Sequence, residues 1–129
     1  MEGNLNLLVK LGGIYNLGFA VFHLFFWKLF HWQEDLTSLT HINRSVMQIL
    51  NLCLMFVFVL FGYISLFHST ELLARGLGRV LLSGIALFWF LRMIEQVFFF
   101  GLQNKLSVAL TVLFFAGVLL YLLPLVNGG

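Results

Sequence analysis

With 129 residues, 61% of them hydrophobic and only 9% charged, the chain is far from a soluble domain, in which about a quarter of residues carry charge. Its net charge of +2 comes from seven basic residues that stand singly, so no cluster exists to neutralise phosphates and nucleic-acid binding is excluded. The lone Cys53 excludes an intrachain disulfide and any CxxC redox or metal motif.

A spanning helix takes about 20 mostly apolar residues, and the sequence has room for four with short connections. The first runs from Leu5 to Phe30 and closes on Trp27, Phe30 and Trp32, aromatic residues of the kind that mark a membrane–water boundary. It lacks a basic start and a small-x-small cleavage site, so it reads as a retained span rather than a cleavable signal. The longest loop, Gln33 to Asn43, is polar and carries helix-capping residues. The second helix runs from Arg44 to Phe67, and His68-Ser69-Thr70-Glu71 leads into a tight turn. The third spans Leu77 to Phe100, followed by the turn Gly101 to Lys105. The fourth runs from Leu106 to Leu123, where Pro124 is expected to end it.

The fold class is therefore an all-α integral membrane protein, a single four-transmembrane-helix domain with up-down-up-down topology and consecutive helices as antiparallel neighbours. An even number of spans puts both termini on one side. Lys10, Arg75 and Arg79 lie on that side against Lys28, Arg44 and Lys105 on the other, a balance that also fits insertion in both orientations; the crowding of Arg75 and Arg79 in one short loop favours cytoplasmic termini. The expected location is a bacterial inner membrane, with the lipid bilayer as principal partner.

Three of the four spans carry strongly polar side chains: Asn16 and His23, then Gln48 and Asn51, then Arg92, Glu95 and Gln96. Ionisable groups in hydrocarbon are costly and face the bundle interior, which makes them functional candidates. At 1.5 Å per residue these groups reach one leaflet, the half nearest the first and third loops. At 100° per residue they fall on one stripe of each helix, with Trp89 and Trp27 as aromatic walls. Arg92 and Glu95 are i, i+3 partners. His23, Asn51, Arg92 and Gln96 are expected to point inward at similar depth. The fourth helix offers only Ser107, Thr111 and Tyr121, so it is expected to be a lipid-facing scaffold.

Two readings follow. A hydrogen-bonded network fixing helix register needs only one or two such residues. The density here points instead to a pocket that binds a small polar or anionic ligand or handles protons, formed by His23, Asn16, Gln48, Asn51, Trp89, Arg92, Glu95 and Gln96. His23, His31, His41 and Glu95 are metal candidates, although none of the histidines has the HxxxH or HExxH spacing. His68 is expected at the opposite surface beside Glu71, too far from His23 to share a haem iron, and no cofactor is specified. Ser65, Ser83 and Cys53 lack the partners of a covalent catalytic apparatus, which argues against an enzyme. The small, very apolar chain also fits an accessory subunit of a larger membrane complex, or a homo-oligomeric transporter or channel.

Overall fold

The computed structural model describes residues 2–128, which form an all-α bundle with four helices long and apolar enough to cross a membrane. The spans are α1 (Glu2–Leu24), α4 (His41–Phe67), α6 (Leu77–Phe100) and α7 (Lys105–Asn127). Between α1 and α4 lie two single-turn helices, α2 (Phe26–Leu29) and α3 (Trp32–Asp35), with a 3-10 turn at Leu36–Ser38; α5 (Ser69–Leu73) links α4 to α6.

Local signals fix the ends. The Thr40 side chain accepts from Asn43 N at 3.3 Å to start α4, and Asn104 Oδ1 accepts from Leu106 N at 2.9 Å to start α7. Gly76 (φ 84°) and Gly101 (φ 71°) bracket α6, both in backbone conformations that side-chain-bearing residues rarely adopt.

Helices α1 and α4 begin three residues earlier than the sequence suggests, at Glu2 and His41, and two C-terminal ends differ more. The first span stops at Leu24, not Phe30: the chain turns at Phe25 and resumes as α2. There Asn51 Nδ2 from α4 takes the His23 carbonyl at 3.2 Å, and a side chain inserted into the backbone ladder is a recognised cause of a helix break. The last span runs through Pro124 to Asn127. Near this end Arg79 donates to the Leu125 carbonyl at 2.8 Å, one residue beyond the proline.

Helix α1 is the hub, packing along α4 and α7, while α7 packs along α6. Close approach is set by small residues. A Cβ at Gly13 would lie 3.0 Å from the Gly62 carbonyl of α4, so these backbones nearly touch. Between α1 and α7 the contact is reciprocal: the Tyr121 ring lies on Gly12, and the Tyr15 ring lies on Gly117. Thus α7 is an integral wall of the core, with Ser107, Phe114, Gly117, Val118 and Tyr121 buried, and not the scaffold expected from its few polar residues.

The consecutive spans α4 and α6 are not close neighbours in the same sense. They meet through large rings: Phe58 stacks on Trp89 at 5.4 Å between centroids, and Phe61 meets Phe88 at 5.5 Å.

Candidate functional site

The interior is layered. On α4 the sequence Asn51, Phe58, Ser65 repeats every seven residues, as does Ser107, Phe114, Tyr121 on α7 and Leu82, Trp89, Gln96 on α6. Seven residues are two helical turns, about 10.5 Å of rise, so each helix presents one residue to each layer. Helix α1 adds Asn16, Phe19 and His23. A polar layer toward the first and third loops is thereby separated from a second polar layer toward the termini by aromatic rings.

The aromatic layer is dense. Phe19 lies 5.0 Å from Trp89, 5.9 Å from Phe58 and 5.6 Å from Phe114. Trp89 also stacks on Phe114 at 5.8 Å and meets Tyr15 edge-on at 4.8 Å. Trp89 is therefore the centre of the core and not a pocket wall; among the described residues its buried indole Nε1 has no hydrogen-bond partner.

In the layer nearest the first and third loops, His23 and Asn51 form a two-point clamp. Asn51 Nδ2 donates to the His23 carbonyl, which orients the amide so that Oδ1 faces His23 Nδ1 at 2.7 Å. An amide oxygen only accepts, so Nδ1 carries the proton and Nε2 is left as the acceptor of the neutral ring. The ring is held by stacking on Phe26 at 4.0 Å and by Phe58 at 5.1 Å.

On the α6–α7 side, Ser107 Oγ donates to the Gly101 carbonyl at 2.5 Å and accepts from Gln96 Nε2 at 3.0 Å. This turns Gln96 Oε1 toward Arg92, whose Nη2 donates to it at 3.5 Å. The other Arg92 contact is loose, 3.8 Å to Glu95, and its guanidinium lies 4.7 Å above the Phe114 ring. A guanidinium has five N–H donors, so most of its capacity is unspent. Arg92 lies over Phe114 and His23 against Phe58, two rings of the aromatic layer, but among the described residues no hydrogen bond joins the Arg92–Gln96 pair to the His23–Asn51 pair.

Other predicted site residues lie elsewhere. Asn16 belongs to the opposite layer, where its Nδ2 donates to the Gly12 carbonyl at 2.8 Å and to Tyr121 Oη at 2.7 Å, with Ser65 Oγ at 2.7 Å from the same hydroxyl. Both Asn16 N–H groups are then used, and among the described residues its buried Oδ1 has no donor. Gln48 is half-buried and makes no side-chain hydrogen bond among the described residues. Glu95 faces outward, its side chain 55% exposed. His31 and His41 are exposed in and after the connecting segment, Trp27 lines a groove there, and His68 pairs with Glu71 at 3.3 Å. Among the described residues no three His, Cys, Asp or Glu side chains converge on a metal position. Sequence reasoning missed Ser65, Ser107 and Tyr121 as network members. Their seven-residue spacing from Phe58 and Phe114 was the available signal.

Fold and site define the class: a multi-pass, four-helix membrane protein with polar layers on either side of an aromatic core. Comparison with protein-family models, with curated proteins and with solved structures gives no match.

Proposed function

We propose that this protein binds the anionic head of an amphiphile, a carboxylate or phosphate on an apolar tail, at Arg92 and His23. The observation that carries the reading is the under-used Arg92 guanidinium, held over Phe114 with only long contacts to Glu95 and Gln96. A cation left this way in a membrane span is expensive, and an anion would complete it with charge-assisted hydrogen bonds. His23 supports the role because its clamp leaves Nε2 free to donate, once protonated, or to accept a proton from the ligand. The aromatic layer gives the head a floor, so the tail stays in the bilayer.

The test uses the three tryptophans. With Trp27 and Trp32 changed to Phe, Trp89 fluorescence reports on the core beside Arg92. Brominated stearic acid should quench it at lower mole fraction than the matching brominated alcohol, and Arg92→Gln should abolish the difference. Equal quenching by acid and alcohol in the unsubstituted site refutes the reading.

One observation favours a second reading, a protein partner in the membrane. Glu95 is 55% exposed within its span, and three exposed rings follow it, Phe98, Phe99 and Phe100. A second copy or a larger complex covering this face would relieve the exposed carboxylate. Cross-linking of a Glu95→Cys variant in native membranes, with Cys53 replaced by Ala, distinguishes a homo-oligomer from a larger partner and from neither. For orientation we propose cytoplasmic termini, on the strength of Arg75 and Arg79; reporters fused to both ends decide it.

A further inference from the structure

The connection between α1 and α4 contains a groove that the Arg92 site does not use. Its volume is about 270 Å³, and Trp27, Lys28, His31, Gln33 and Glu34 line it. Because α2 and α3 join the ends of two spans, the groove sits at the membrane surface, where lipid headgroups lie. Trp32 anchors it from below: it is buried and meets Phe26 at 5.5 Å and Trp27 at 6.3 Å.

Three features specify the occupant. Lys28 and Glu34 line the same groove, yet no ion pair joins them among the described residues. The groove thus offers one positive and one negative group that do not neutralise each other, a match for a ligand whose own charges are separated. His31 stands at φ 53°, ψ 42°, a left-handed conformation that glycine would adopt without strain. Its imidazole lines the groove. Trp27, 43% exposed, adds an aromatic face suited to an ammonium group.

We propose that this groove is a headgroup site for a zwitterionic phospholipid bearing a primary ammonium. Lys28 and His31 donate to the phosphate, and Glu34 accepts from the ammonium across the face of Trp27. A purely anionic headgroup leaves Glu34 repelled. A quaternary ammonium has no N–H to give it.

Native mass spectrometry of the full chain in mild detergent, with equal amounts of phosphatidylethanolamine, phosphatidylcholine and phosphatidylglycerol of the same acyl chains, tests this directly. The ethanolamine lipid should form adducts in about tenfold excess, the scale of one charge-assisted hydrogen bond. The Lys28→Ala/Glu34→Gln double variant should lose the excess. Lys105→Ala, at the same membrane surface but outside the groove, should keep it. The comparison of ethanolamine with choline lipid needs no substitution, so a poorly folding variant does not block the test. Equal adducts, preference for the glycerol lipid, or an excess that survives the double variant overturns the proposal. Free phosphoethanolamine displacing the lipid at equal concentration would assign the groove to a water-borne ligand and overturn the lipid assignment.

Discussion

The same substitution, glycine to alanine, should have opposite effects at two pairs of positions. A Cβ at Gly12 would lie 2.6 Å from the Tyr121 ring, and one at Gly117 would lie 2.6 Å from the Tyr15 hydroxyl and 2.7 Å from its ring. At Gly18 and Gly84 it would meet nothing within 4 Å. Overpacking a filled contact costs about 1–3 kcal/mol. Displacing Tyr121 also strains the hydroxyl that serves Asn16 and Ser65; polar contacts of this kind in membrane bundles are worth about 0.6 kcal/mol on average and up to about 1.7. Gly12→Ala should therefore destabilise by about 2–4 kcal/mol, and Gly117→Ala, which presses on the Tyr15 hydroxyl that donates to the Leu113 carbonyl at 2.8 Å, by a similar amount. At Gly18 and Gly84 only helix propensity acts, a gain of at most about 1 kcal/mol. That gain shrinks in a bilayer, where the spans stay helical when the bundle comes apart. Titration from mild into denaturing detergent, followed by Trp89 fluorescence, measures all four variants. A Gly12→Ala variant as stable as Gly18→Ala would refute the interlocked-tyrosine account of the α1–α7 contact.

Three further outcomes are expected. Nitrogen NMR of labelled His23 should show the Nδ1–H form in the intact protein, and Asn51→Leu should shift the population toward Nε2–H; an unchanged tautomer would show that Asn51 does not set it. Ser107→Ala should cost about 0.6–1.7 kcal/mol and free Gln96, read as a lower midpoint in the same detergent titration. Tyr121→Phe and Ser65→Ala should be strongly non-additive, because they remove the two ends of one hydrogen bond. Additive losses in the double variant would place the two residues in separate contacts.

How much of this was legible in the sequence depends on what each signal measures. Four apolar runs with polar punctuation specify the spans, because hydrocarbon thickness sets their length. The break after Leu24 was not visible: it depends on Asn51, a residue of another helix, reaching the His23 carbonyl. The burial of α7 was hidden for a related reason. When lipid covers the outer face, both faces of a helix are apolar, and amphipathic contrast no longer says which side is inside. Asn16 and His23 share a stripe seven residues apart on α1, so helical phase alone cannot separate them. What separates them is the identity of the neighbour at each level: Tyr121 at one, Asn51 at the other.

The aromatic layer constrains any function more than the polar groups do. A path for ions or water along the axis of one bundle would have to pass Phe19, Phe58, Trp89 and Phe114, all buried, with Trp89 stacked on Phe58 and Phe114 and Phe19 tilted against all three at 5.0–5.9 Å. Opening it means separating large rings whose packing supplies much of the core's cohesion. The ligand proposed for His23 and Arg92 would therefore have to enter from the surface of the first and third loops, or laterally from the bilayer, and leave the same way. Helix α4 meets α6 through rings rather than through close backbones, so lateral entry between them disturbs fewer fixed contacts than entry between α1 and α4, where Gly13 and Gly62 nearly touch. Transport across the membrane by this chain would then need either a large rearrangement of the aromatic layer or a pathway built between copies. A binding or sensing role needs neither.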